Sequence, residues 1–306
     1  MNFKIWAAGC IISFFLLGIS LAFISTSDRT ASVSGTDDLY EEILAKKKDY
    51  EKKSENAAVD RVWKKTPGIK GKSVDVAASY KKMKKEGKFD PDLIVYKTVN
   101  PKVSLKDLPP SPIYRGHPDK DMVSFLINVS WGEEYIPEMI KTLTKYNVKA
   151  TFFIDGAFAK QHKELVQMIQ EEGHTIGSHG YLHKDMAAMS EQEASENLKQ
   201  ANDILFALTN EKVQWFAPPS GSFNNSTVQA ADQLGMETIL WTVDTIDWKQ
   251  PTQEVLIERV MGKLHNGATI LMHPTQVTAD SLPALIERIK KDYRIGPLPV
   301  LLSEDR

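Results

Sequence analysis

Hydrophobic positions divide this 306-residue chain into three stretches of different rhythm. The first runs from Ile5 to Ile24, about twenty apolar or small residues without a charge. As a helix rising about 1.5 Å per residue it would span roughly 30 Å, the thickness of a bilayer's hydrocarbon core. The second stretch, residues 25–120, is mostly polar. Residues 25–38 are rich in Ser, Thr and Asp and read as a spacer, and a charged helix is expected from Leu39 to about Asn56 on Ile43, Leu44 and Tyr50. A short helix through Val59, Val62 and Trp63, another over Val76–Met83 and a strand over Leu93–Tyr96 follow. Pro109-Pro110-Ser111-Pro112 makes a stiff connector.

From Met122 the rhythm changes to short apolar runs alternating with segments of helical spacing. The runs predict strands over Val123–Val129, Ala150–Ile154, Thr175–Ser178, Gln214–Ala217, Thr238–Val243, Thr269–Met272 and Pro299–Leu302. Between them lie helical patterns such as Ile136–Tyr146, Lys163–Glu171, Glu191–Leu208 and Ser226–Leu234, with Gly173 and Gly235 as stop signals. Strand–helix alternation implies parallel strands with crossover helices. Seven units in this length predict an α/β fold, a distorted, incomplete (β/α) barrel of about seven strands. In such a barrel, chemistry belongs at the C-terminal ends of the strands. The expected organisation is an apolar helix (1–24), a spacer and charged helix (25–56), a small α+β accessory region with connector (57–120) and the barrel (121–306).

Charge sharpens this division. Net charge is only −2, which gives no sign of a nucleic-acid partner. Residues 39–120, however, carry 20 Lys and Arg against 12 Asp and Glu, whereas residues 121–306 carry 16 against 25. The basic stem suits either solvent or an anionic wall or lipid surface. Lys4 before the apolar stretch and Asp28, Asp37 and Asp38 after it predict an inside N-terminus and an exported body. The expected location is the cell membrane with the barrel on the outer face, or outside the cell if the chain is cut near Ser20-Leu21-Ala22. The single cysteine, Cys10, lies within the apolar stretch and excludes an intramolecular disulfide. Oligomeric state is left open.

The reactive residues cluster at the predicted strand ends. The third strand runs into Ser178-His179-Gly180-Tyr181-Leu182-His183, two imidazoles at a spacing that can converge on one cation. The fourth runs into Ala217-Pro218-Pro219-Ser220-Gly221, a rigid turn suited to a pocket wall. The fifth leads into Asp244-Thr245-Ile246-Asp247-Trp248 and the sixth into Met272-His273-Pro274, a pairing that suits a carboxylate-oriented imidazole.

In this order the motifs resemble the polysaccharide deacetylase family, the NodB-homology domain of carbohydrate esterase family 4, over about residues 120–303. The chain is similar to a branch from spore-forming Gram-positive bacteria. The resemblance implies a distorted (β/α) barrel that removes acetyl groups from N-acetylglucosamine polymers such as peptidoglycan, using zinc or cobalt. It implies His179 and His183 as metal ligands, His273 as general acid, and Asp247, with Asp244 nearby, as its orienting carboxylate. Trp248 and Leu271 would line the acetyl pocket, with Pro218, Pro219 and Ser220 in its wall and Trp131 against the glycan.

The pattern is broken at one group of positions. Where the family's first strand ends in two aspartates, a base and a metal ligand, this chain has Asn128 and Val129. Asn has no carboxylate to take a proton from water, and Val has no lone pair for a metal. The family's Arg that orients the base is Ala217, its aromatic neighbour is Ser220, and the hydroxyl after the first histidine is Gly180. Loss of a general base removes about 10²–10⁴-fold in rate. Two readings follow. One is a deacetylase of weak or absent turnover, with Asp155, Ser130 or Asn128 as a substitute ligand; against this, Asp155 also reads as a helix cap before Ala157. The other is a non-catalytic glycan-binding or scaffolding protein of the cell envelope, holding cell-wall polysaccharide through Trp131 and Trp248.

Overall fold

The computed structural model describes the backbone from Ser34 and side chains from Asp38 to Arg306. The expected apolar helix of residues 1–24 and most of the spacer lie outside the described residues. The stem opens with α1 (Ser34–Tyr50), which starts inside the expected spacer. Leu39 and Ile43 are buried, while Leu44, expected as an anchor, is exposed. Val59, Val62 and Trp63 form no helix. They lie in a hairpin of β1 (Ala58–Asp60) and β2 (Lys64–Thr66), because Asp60 accepts the Val62 and Trp63 N–H groups, both at 2.6 Å, and closes a turn. Next come β3 (Gly71–Val74) and α2 (Val76–Met83), whose Asp75 cap accepts the Ala78 N–H. The strand expected at Leu93–Tyr96 is displaced: Asp90 caps a 3₁₀ turn over Pro91–Leu93, and β4 (Tyr96–Val99) pairs antiparallel with β3. Leu39, Ile43, Val74, Met83 and Ile94 make a small core of the stem's own.

The larger region alternates strand and helix: β5 (Met122–Val129), α3 (Ile136–Lys145), β6 (Thr151–Ile154), α4 (Gly156–Gln161), α5 (Lys163–Glu171), β7 (Thr175–Ser178), α6 (Glu191–Thr209), β8 (Trp215–Phe216), α7 (Asn225–Gln233) and β9 (Glu237–Thr238). It continues with β10 (Val243–Asp244), α8 (Gln253–Met261), β11 (Thr269–Met272), α9 (Gln276–Ile289), β12 (Arg294–Ile295) and α10 (Leu298–Leu302). Seven parallel strands follow the order β10-β11-β5-β6-β7-β8-β9, and β12 adds to the start of β5. The sheet curls without closing, a half-barrel open between β9 and β10.

Two expected strands are revised. Thr238–Val243 is split into β9 and β10, at opposite ends of the sheet: Ile239 N–H still donates to Phe216 O at 2.7 Å, and from Leu240 the chain leaves β8. Ile113 of the connector takes up that edge, donating to Thr238 O and accepting from Leu240 N, each at 2.8 Å. Pro299–Leu302 is helical, begun by Pro297 and Pro299, with Leu298, Leu301 and Leu302 on one face. These leucines plug the barrel interior beside Leu126 and Phe153. Buried Lys120 fastens the plug, its Nζ donating to Val300 O at 2.6 Å and Ser303 O at 2.8 Å.

Outward-facing Val123, Phe125, Ile127 and Val129 of β5 join the core between sheet and helices, while Leu126 faces the interior. The stem is joined to the barrel by buried Lys65, paired with Glu237 at 2.7 Å, and by a Lys70–Asp305 pair at 2.8 Å.

Candidate functional site

Parallel register carries the polar residues to one rim. Asn128 lies beside Phe153, Val129 beside Ile154, Ile154 beside Ser178, Ser178 beside Phe216, and Asp244 beside Leu271. The rim encloses a cavity of about 400 Å³ lined by Asn128, Ser130, Trp131, His179, His183, Ser220, Trp241, Asp244, Trp248, Leu271 and His273. All of these but Trp241 are site residues expected from the sequence. Pro218 and Pro219 shape the turn behind Ser220 without lining the cavity, and Asp247 lies beneath His273.

One wall is fully bonded. Asp247 is completely buried, and its carboxylate accepts from His273 Nδ1–H at 2.8 Å, the His273 backbone N–H at 2.6 Å and the Thr278 hydroxyl at 2.7 Å. With Nδ1 committed, His273 presents Nε2 to the cavity. The Trp131 indole stacks on the imidazole at 5.9 Å and 11°. Trp131 is aimed by Gly132, whose left-handed φ of 81° brings it so close to Pro274 that a Cβ would stand 2.0 Å from the proline carbonyl oxygen.

The second wall holds the other two imidazoles. His179 donates Nδ1–H to Ala217 O at 2.7 Å, so its Nε2 lone pair is free. Burial, reinforced by neighbouring His183, presses its pKa down to about 3. The rings of His179 and His183 lie 5.3 Å apart. His183 follows Leu182 in the left-handed region, φ 46° and 61°, a strained path of the kind stored at functional sites. Asp155 holds that path: one oxygen accepts the His183 N–H at 2.9 Å, and the other caps α4 through Ala157 and Phe158. Its carboxylate serves the backbone and is not part of the cavity lining, which leaves it no place as a substitute metal ligand.

The third wall is incomplete. Asn128 is buried, and its Oδ1 has no hydrogen-bond partner; neither has Ser130 Oγ. Val129 packs into the core between sheet and helices and does not reach the cavity. Ala217 belongs to the barrel interior and Ser220 takes a left-handed turn, φ 55°.

A divalent cation held in the family's manner needs two imidazoles and a carboxylate. Both imidazoles are here, with His179 fixed through its far nitrogen as metal-bound imidazoles commonly are. The carboxylate is not. Among the described residues no group of three His, Cys, Asp or Glu side chains is placed to hold a metal. The donor set therefore does not fit a three-ligand centre.

Sequence reasoning missed Thr278, which completes the bonding of Asp247, and Trp241, a cavity wall. Thr278 carries no signal beyond its place in the first turn of α9. Trp241 was hidden in an apolar run read as one strand.

Comparison with known proteins gives a consistent picture. A family model described as polysaccharide deacetylase matches residues 115–239. The chain is 48% identical over 280 residues to the Bacillus subtilis protein YlxY, covering 91% of this chain and 88% of that one. It is 31% identical over 179 residues to the peptidoglycan-N-acetylglucosamine deacetylase of Bacillus cereus, covering 56% and 65%. Among solved structures it is similar to a CE4 family pseudoenzyme from Bacillus anthracis, with TM-score 0.82 and 48% identity over 88% of this chain and 96% of that one. A mutant of that pseudoenzyme with restored enzymatic activity gives TM-score 0.82 at 47% identity, over 88% of this chain and 99% of that one.

Proposed function

This chain belongs to the polysaccharide deacetylase family, carbohydrate esterase family 4, and we propose that it engages the amino-sugar backbone of cell-wall glycan with deacetylation weak or abolished. The observation that carries the reading is the incomplete third wall: an amide with an orphaned oxygen at Asn128, and an apolar side chain turned into the core at Val129. The similar Bacillus anthracis protein is called a pseudoenzyme, and the Bacillus cereus relative a peptidoglycan deacetylase.

In active family members the metal supplies a polarised water and carbonyl; among the described residues, the two imidazoles of this chain lack the carboxylate that would complete its ligands. What this chain's residues do is bind. Trp131 and Trp248 offer exposed aromatic faces on which the apolar face of a pyranose can lie, and Leu271 and Trp241 exclude water beneath. Asp247 holds His273 so that Nε2 can exchange a hydrogen bond with the sugar's nitrogen substituent. Amide hydrolysis stalls because Asn128, standing where the family has its base, takes no proton from an attacking water. The uncharged stretch 5–24, after Lys4, supports a place for the barrel at the outer face of the membrane, where such glycan is found.

The test is to incubate purified protein with N-acetylated glycan and zinc or cobalt. No acetate above background is expected, while glycan binding persists in chelator and in His179→Ala and His183→Ala. Turnover at the rate of the active peptidoglycan deacetylases would overturn the reading. The single change Asn128→Asp is expected to restore little, because Val129 and Ala217 still leave metal and base unsupported.

A further inference from the structure

Beside the first cavity lies a second, of about 490 Å³, lined by Trp131, Tyr135, Trp248, Gln250, Pro251, Thr252, Gln253, Thr275, Gln276, Val277 and Asp280. Trp131 and Trp248 belong to both, so the two form one groove with an indole saddle between them. The groove has a definite polarity. Its linings contain two carboxylates, Asp244 and Asp280, and neither Lys nor Arg. Asp244 accepts the Ile246 N–H through one oxygen at 2.8 Å, and among the described residues no Lys or Arg is paired with it. Among the residues lining the first cavity, Asn128 and Ser130 carry buried oxygens without a donor, Oδ1 and Oγ, and His179 carries a free Nε2 lone pair. Two cations come close but lie outside both linings: Lys249 sits over the Trp248 ring at 4.9 Å, and Arg259 is committed to Thr245 O at 2.8 Å.

A groove of acceptors, carboxylates and aromatic faces is matched by a ligand that carries donors and positive charge. An acetamido group brings one N–H and a carbonyl oxygen that would face these acceptors. A free amine of an amino sugar, protonated on the acid side of neutrality because the neighbouring oxygens lower its pKa, then brings three N–H donors and a charge, and is attracted by carboxylate and indole face alike. Leaving Asn128 Oδ1 and Ser130 Oγ without donors costs about 1–3 kcal/mol each when they are desolvated. An ammonium among them would remove that cost.

We propose that the groove recognises de-N-acetylated amino-sugar units, the glucosamine-type product of the family's reaction, in preference to the N-acetylated substrate. This rests on the glycan-binding reading above and specifies which form of the glycan is held. Asp244 and Asn128 are the discriminating residues, and the saddle carries the sugar rings.

The test is calorimetric titration at about pH 6, where the amino-sugar amines are mostly protonated, in chelator, of the full chain with a fully de-N-acetylated and a fully N-acetylated glucosamine tetramer. The de-N-acetylated tetramer is expected to bind about tenfold tighter, the ratio a single well-placed charge pair gives. Asp244→Asn, which keeps the oxygen that accepts the Ile246 N–H, is expected to remove most of that preference. Since the barrel region is acidic overall, mere surface attraction would survive this one substitution, so an undiminished preference in Asp244→Asn overturns the assignment. Equal binding of the two tetramers, or tighter binding of the acetylated one, overturns this inference and leaves the glycan-binding reading intact. Binding of neither overturns both.

Discussion

The cavity sets a finished wall against an unfinished one. On the His273 side, both oxygens of a buried carboxylate are used, by an imidazole N–H, a backbone N–H and a hydroxyl. On the Asn128 side, two oxygens have no partner and the adjacent position has joined the hydrophobic core. The difference follows from what each group costs alone. A buried carboxylate without its donors is strongly destabilising, so the Asp247 network holds together as a unit. A neutral amide or valine in place of an acid adds no buried charge, and the fold closes around it. The half that orients an imidazole can thus persist while the half that would hold a cation and activate water is gone.

The comparison can be broken at several points. The largest expected effect is acid sensitivity from histidines held neutral by burial. His174, which accepts the Ala150 N–H, is held down to about 4, and His179 to about 3. Both lie below the ordinary value near 6.5, so each contributes stability that is complete above that pH and lost as pH falls through the depressed value. For His174 the loss between about pH 6.5 and 4 is on the order of 3 kcal/mol, followed by denaturant unfolding at a series of pH values. His174→Gln, which keeps an acceptor for Ala150, should remove much of that slope; an unchanged slope would place the acid sensitivity elsewhere.

Next, Asp247→Ala should lower stability by about 3 kcal/mol, because three donors lose their acceptor in a buried place. A loss under about 1 kcal/mol would show that the network is not the rigid half. At the joint of stem and barrel, Lys65→Met should cost about 2 kcal/mol; Glu237, its side chain 22% exposed, can turn to water, which keeps the loss below that of a fully buried pair. The smallest effect carries the most informative sign. Asn128→Leu should be neutral or stabilising by up to about 1 kcal/mol, since it removes an unpartnered buried polar group. A loss of several kcal/mol would mean that Asn128 is satisfied in the native protein and that both walls are finished.

Much of this was legible in the sequence, for identifiable reasons. His179, Asp244 and His273 stand at or directly after strand ends, which place them on one rim whatever the details of packing, while His183 reaches it by a loop path that Asp155 holds. The helix over residues 163–171 was marked by its spacing and the Gly173 stop, that over 191–208 by its spacing alone. The failures lay where a local contact outweighed the run of apolar residues. The Val59–Trp63 stretch became a hairpin through the Asp60 side chain, and Pro299–Leu302 became a plug because two prolines and leucines at helical spacing favour one turn of helix. Val129 could be seen to lack a lone pair, but that it packs away from the cavity depends on which face of β5 it occupies at the rim. The part played by Thr278 is tertiary, 31 residues from Asp247 in the chain.

The most direct test of the unfinished wall is zinc binding by the purified protein, titrated beside the peptidoglycan-N-acetylglucosamine deacetylase of Bacillus cereus. Catalytic zinc generally uses three protein ligands, so this chain, with two imidazoles, is expected to bind zinc at least about 100-fold more weakly than that relative and to carry little zinc as isolated. Stoichiometric zinc in the native chain, held as tightly as in that relative, would contradict the account.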